Sequence, residues 1–125
     1  MLRLGKERDE INVVSDQIGS PTYATDLAEA ILTIVNSKDY QSTEKSTEIY
    51  HYSNEGGVSR YGFAKEIFKI ARVDCKVNSI TTDQYPTLAQ RPKNTKMCQG
   101  AIAEIYSINF RDWKASLNNF LNKST

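Results

Sequence analysis

The chain has 125 residues, enough for one domain that buries roughly two-thirds of the surface its unfolded form exposes. Its 16 Lys and Arg against 15 Asp and Glu leave a net charge of +1, which argues against a nucleic-acid binder held by phosphate neutralisation and against a charged interaction tail. No run reaches the ~18 apolar residues needed to span a bilayer, and the opening MLRLGKERDE lacks the apolar centre of a secretory signal, so no membrane contact and a cytoplasmic location are expected.

The first residues, LRLGKERDE, read like the end of a helix. EINVVSD (10–16) is a β-branched run with Ile11 and Val13 on one face, which predicts a strand. A short loop holding Gly19, Ser20, Pro21, Thr22 and Tyr23 follows. After it, Leu27, Ala30, Ile31, Ile34 and Val35 form one stripe at helical spacing. Asp26 with Glu29 three residues on resembles a capping box, placing the helix start near Asp26 and its end near 36–38. The polar stretch NSKDYQSTEKSTE reads as a surface loop.

EIYHYSN (48–54) alternates as a second strand, with Ile49 and His51 on one face and Tyr50 and Tyr52 on the other. EGG suits a tight turn. A second helix from about Ser59 buries Phe63, Ala64, Ile67, Phe68 and Ala71, and CKVNSIT (75–81) is a weaker third strand. DWKASLNNFLN closes the chain as an amphipathic helix with Trp113, Leu117, Phe120 and Leu121 inward. Strands alternating with helices predict an α/β arrangement in which helices cover a small sheet.

Few groups suggest catalysis. YGFAK sets Tyr61 and Lys65 one helical turn apart, the spacing by which a lysine can lower a phenol's pKa for proton transfer. That chemistry also needs a glycine-rich turn between strand and helix to hold a dinucleotide, and neither G-x-x-G-x-x-G nor G-x-G-x-x-G follows a strand. The pair therefore reads as two polar-tipped residues at i and i+4. His51 is the only histidine; no G-x-S-x-G elbow accompanies it and a lone imidazole cannot build a zinc site, so it reads as a packed strand residue. Cys75 and Cys98 lack metal-ligand spacing and read as reduced, structural thiols. Two segments remain. GSPTY offers hydroxyls and backbone amides at a helix start, where an anion or sugar hydroxyl is favoured. YPTLAQRPKN offers Arg91, suited to bidentate phosphate recognition, with Lys93 and Lys96 close by. A capped helix and a basic surface loop would account for the same residues.

Taken in order, DQIGSPTYATDLAEAI, IYHYSNEGGVSRYGFAKEIFKIA, ITTDQYPTLAQRPKNT and DWKASLNNFL resemble the C-terminal part of the dTDP-4-dehydrorhamnose reductase family, within the extended short-chain dehydrogenase/reductase superfamily. The likeness covers residues 3 to 122, and D-Q-x-G-S-P-T-Y and Y-P-T…R-P are its most specific parts. Thr95 and Met97 stand where the family usually has a serine and a leucine, and CQGAIAEIYSIN is not its usual text.

The resemblance implies that residues 1–125 are a single substrate-binding lobe, the RmlD-like substrate-binding domain of a larger reductase. It implies a family activity in which NADPH reduces the 4-keto group of dTDP-4-dehydro-L-rhamnose to give dTDP-L-rhamnose for polysaccharide. The glycine-rich turn and the catalytic Tyr-x-x-x-Lys belong to an N-terminal Rossmann half that binds NADPH, so no catalytic or cofactor-binding residue is expected here. Gly19 and Pro21 would fix the turn, Ser20 and Thr22 would offer hydroxyls to the substrate, and Arg91 would meet its phosphates or sugar. The implied partners are the dTDP-sugar, the Rossmann half and a second copy of the chain. The family allows Mg2+, although no acidic cluster in this sequence calls for it. The alternative is a non-catalytic binding module like the regulatory subunit of methionine adenosyltransferase, which shares the fold. A lobe that packs against a Rossmann half should expose an apolar surface bordered by GSPTY and RPKN, and should self-associate or be only marginally stable on its own.

Overall fold

The computed structural model describes residues 1–42 and 47–123. Helix α1 (Leu2–Glu7) leads into strand β1 (Glu10–Val14), which pairs in parallel with β4 (Lys76–Ile80) from Glu10 opposite Lys76 to Val14 opposite Ile80. A parallel pair needs a crossover, and the chain between them supplies α2 (Ala24–Val35), α3 (Lys38–Ser42) and α4 (Arg60–Ala71). The short strands β2 (Ile18–Gly19) and β3 (Val58–Ser59) form a separate antiparallel pair. Helices α5 (Gly100–Tyr106) and α6 (Trp113–Lys123) complete the described fold. The expected α/β architecture is thus present, divided into two small sheets instead of one.

The core lies where α4 and α6 close over β1. Ile11 and Val13 meet Ala64, Ile67 and Phe68 of α4, Cys75, and Trp113, Leu117 and Leu121 of α6. Phe63 packs edge-on against Trp113 at 5.7 Å between ring centroids. Ser59 caps α4 by accepting the Gly62 N–H at 3.0 Å, and Asp112 accepts the N–H groups of Lys114 and Ala115 in the first turn of α6. Gly56 is required where it stands. Its φ of +90° is left-handed, and a Cβ there would lie 2.9 Å from Trp113 Cδ1.

Several expectations give way. Residues 48–54 form no strand, and near their end backbone groups meet side chains instead of a ladder. The Ser53 N–H donates to Gln99 Oε1 at 2.6 Å, and Tyr50 and Tyr52 pack edge-on or tilted against Tyr106 and Phe110. His51 accordingly is exposed, not packed in a strand. The surface loop after α2 contains the short helix α3, with 43–46 outside the described residues. Helix α5 lies in text that suggested no element. Phe120 is 48% exposed, lying against the edge of Tyr23 at 6.1 Å instead of pointing inward. On α2 only Ala30 of the expected stripe is buried, and Ile31 and Val35 are exposed beside Leu32. Cys75 is buried and Cys98 exposed, both as free thiols.

The helix start near residue 24 also differs in kind from the expected capping box. Tyr23 occupies the cap position without a side-chain bond, and Asp26 turns inward, 4% exposed. Its Oδ2 accepts from Asn54 Nδ2 at 2.5 Å and from the Ser116 hydroxyl, and its Oδ1 accepts from Arg111 Nη1 at 2.5 Å. Asn54 Nδ2 also donates to Ser116 Oγ and to the Arg111 carbonyl, while Asn54 Oδ1 accepts the Tyr23 N–H at 2.7 Å. A buried carboxylate is costly unless paired and hydrogen-bonded, and no buried side-chain polar atom among the described residues lacks a partner. This knot ties the loop before α2 to the 52–57 segment and to α6.

Candidate functional site

Strand β2 is the floor of the candidate site. On one side it pairs with β3, and on the other Ile18 bridges Asn94, donating its N–H to the Lys93 carbonyl at 2.8 Å and accepting the Thr95 N–H at 2.9 Å. The Thr95 hydroxyl also donates to the Ile18 carbonyl at 3.2 Å. The distant GSPTY and RPKN segments are thereby brought to one place. A groove of about 550 Å³ opens there, and Gly19, Ser20, Pro21 and Arg91 all line it. Gly19 leaves little room on its other side, since a Cβ would lie 2.7 Å from Thr95 Oγ1. Ser20 donates its hydroxyl to the Gly56 carbonyl at 2.7 Å, so the side chain buttresses the turn and keeps its lone pairs for an incoming donor.

Thr22 is not brought to this groove. It is exposed and lines a separate apolar cavity of about 610 Å³ between α1, α4 and α6, together with Pro21, Tyr23 and Phe120. A third groove, of about 930 Å³, runs beside β1 and shares Gln17, Arg60, Phe63 and Arg91 with the first. Arg60 is the residue that sequence reasoning missed. It opens α4 and looked like a helix start; only the pairing of β2 with β3 carries it to the groove.

The rim between β1 and β4 is fixed by Asp16. Its Oδ1 accepts the Thr82 N–H at 2.9 Å and the Thr82 hydroxyl at 2.7 Å. The Thr82 hydroxyl bond holds the carboxyl below its ordinary value of 3.8, against a smaller opposing effect of burial. Gln17 Nε2 donates to Thr82 Oγ1 at 3.1 Å, extending the same anchor to β2. On the far side of the knot, burial and the Asp26 carboxylate raise the pKa of Tyr52.

The other sequence candidates stay away from the groove. Tyr61 is half-buried against the core, and Lys65 Nζ lies 5.4 Å from its ring centroid as a cation–π contact; neither lines the groove. No group of three or more His, Cys, Asp or Glu side chains that could hold a metal occurs among the described residues. No helix among them is long and apolar enough to cross a membrane. Gly57 and Gly62 pack closely against neighbouring side chains. A Cβ at Gly57 would lie 2.8 Å from Lys96 Cδ, and one at Gly62 2.9 Å from Val58 Cγ2.

Small parallel and antiparallel strand pairs packed under amphipathic helices, with a cationic groove beside a strand-to-helix turn, describe the C-terminal portion of a short-chain dehydrogenase/reductase fold. The chain belongs to the RmlD substrate binding domain family, whose model matches residues 1–125. It is 42% identical over 125 residues to the dTDP-4-dehydrorhamnose reductase of Aggregatibacter actinomycetemcomitans, covering 95% of this chain and 42% of that protein. It is 37% identical over 121 residues to the spore coat polysaccharide biosynthesis protein SpsK of Bacillus subtilis, covering 97% of this chain and 40% of that one. The crystal structure of dTDP-4-dehydrorhamnose reductase from Bacillus anthracis in complex with NADP matches with a TM-score of 0.87 and 35% identity, over 98% of this chain and 41% of that one. The chain therefore spans about two-fifths of the length of these relatives.

Proposed function

We propose that residues 1–125 form the substrate-binding lobe of an NADPH-dependent dTDP-4-dehydrorhamnose reductase, the enzyme that reduces the 4-keto group of its nucleotide sugar to give dTDP-L-rhamnose. The observation that carries this reading is the meeting of Gly19, Ser20, Pro21 and Arg91 in one groove. In this reading Arg91 offers a planar fork of N–H donors to a phosphate, while Ser20 and the backbone of the turn orient the sugar. NADPH, which supplies the hydride when bound, is held by residues outside this chain, and the proton donor lies there as well. The remaining partners are that nucleotide-binding part and a second copy of the chain, for which the exposed Ile31, Leu32 and Val35 of α2 offer an apolar face.

Two measurements test the reading. The chain alone, mixed with NADPH and dTDP-4-dehydrorhamnose, should leave the nicotinamide absorbance unchanged; turnover that vanishes in Tyr61→Phe would overturn the non-catalytic assignment. In an NMR titration with dTDP, the amides of Gly19, Ser20 and Arg91 should shift. Arg91→Gln should weaken binding by about tenfold or more while leaving the melting temperature unchanged, because the side chain is exposed. Shifts confined to other residues would sink the groove assignment.

A further inference from the structure

We propose that Arg60 is the second cation of the groove and makes the site selective for a diphosphate over a monophosphate, a step that rests on reading the groove as a nucleotide-sugar site. Both arginines are anchored to β2, from opposite sides. Arg60 follows Ser59 of β3 and donates its backbone N–H to the Gln17 carbonyl at 3.3 Å. Arg91 lies three residues before Asn94, the partner of Ile18 on the other edge. Neighbouring strands lie about 4.8 Å apart, so the two outer segments flank β2 at a separation of about 10 Å, a span that two long side chains can close upon one ligand.

Register sends both toward the same end. The antiparallel pairing of Ile18 with Ser59 sets Arg60 beside Gln17, and the parallel bridge of Ile18 to Asn94 runs Arg91 back past Gln17 in the same direction. Consistently, Arg60 and Arg91 both line each of the two confluent grooves. Neither guanidinium has an ion pair or side-chain hydrogen bond among the described residues.

The nearby carboxylates do not compensate them. No Asp or Glu lines the smaller groove. Asp16, next to Gln17, is engaged by both donors of Thr82. Glu10, at the far end of the larger groove, accepts from Asn78 Nδ2 at 3.0 Å and pairs with Lys76 at 3.8 Å. Two unneutralised cations facing one groove repel each other unless an anion lies between them. One bidentate arginine satisfies a single phosphate; a second, on the opposite wall, finds an acceptor only if the ligand carries a second phosphoryl group.

The test compares dTDP with dTMP by NMR titration of the 125-residue chain, in wild type, Arg60→Gln, Arg60→Lys and Arg91→Gln. Arg60→Gln should weaken dTDP by about tenfold or more and dTMP by less than about twofold. Arg60→Lys should recover part of the dTDP affinity through charge alone. Arg91→Gln should weaken both ligands. If Arg60→Gln weakens neither ligand, or both equally, while Arg91→Gln weakens both, the clamp is overturned and the groove reading stands. If neither ligand shifts groove residues in the wild-type chain, the groove reading falls and the clamp falls with it. Circular dichroism spectra matching the wild type establish that a loss is one of binding, as expected for a substitution at an exposed residue.

Discussion

Around Asp26, Asn54, Ser116 and Arg111 each polar group is matched by another, whereas around Arg60 and Arg91 the cations face open groove with no partner among the described residues. Both regions adjoin the loop 20–23, so the contrast is not one of distance. It is one of satisfaction. Asn54 and Ser116 are 1% and 2% exposed, and a polar group buried that deeply must be paired within the protein. The groove arginines keep their hydration, so leaving them unpaired costs the fold little, and their donors stay free for a ligand. Asymmetry of this kind separates residues that hold a site from residues that use it.

The sharpest way to break the comparison is at the knot. Asn54→Ala removes the donor to Asp26 and the acceptor of the Tyr23 N–H, leaving a buried carboxylate short of a partner. A loss of about 2–3 kcal/mol in urea-monitored stability is expected, since Asp26 keeps Arg111 and Ser116 while the Tyr23 N–H and one carboxylate lone pair lose their partner. A loss below about 1 kcal/mol would mean that the knot is no more closed than the groove. Ser116→Ala should cost less, about 1–2 kcal/mol, because Asp26 keeps Asn54 and Arg111 and Asn54 keeps the Arg111 carbonyl. A double-mutant cycle of the two substitutions should show coupling, since they share one carboxylate.

The smallest effect lies at the groove rim. The lowered pKa of Asp16 means that its contribution to stability is complete above the ordinary carboxylate value of 3.8 and is lost as pH falls through the lower folded value. Thr82→Val removes the hydroxyl that is the chief cause and should move the Asp16 carboxyl back upward, narrowing that acid-sensitive window. NMR titration of the Asp16 carboxyl in both proteins checks the sign. An unchanged or further lowered value in Thr82→Val would show that the hydroxyl is not what fixes the rim.

Much of the scaffold was legible in the residue order because its signals are local. The stripes behind α4 and α6 and the β-branched run of β1 locate those elements within one or two residues. EIYHYSN misled because alternating tyrosines look alike whether a neighbouring strand or the rings of Tyr106 and Phe110 cover them; only the downstream chain decides. Asp26 misled in a similar way, since Asp-x-x-Glu fits both a cap and a buried carboxylate. A hint lay in its position four residues before Ala30, on the face that is buried. The meeting of Ser20 with Arg91 was foreshadowed by motif resemblance, not by spacing, because 71 residues separate them. Arg60 had no such herald. Its place depends on a two-residue strand pair too short to announce itself.

The bond from the Tyr23 N–H to Asn54 Oδ1 has a thermodynamic corollary. It clamps the loop's last residue to the buried knot, while Ser20 is latched to Gly56 and Gly19 lies in β2, so the turn is set in shape before any ligand arrives. Ordering a loop on binding normally costs conformational entropy that subtracts from affinity. Here that ordering accompanies folding, so calorimetry of ligand association should show little entropic penalty from the turn. Cutting the Asn54 tether should transfer the penalty from folding to binding, weakening the ligand through entropy although no atom that touches it has changed.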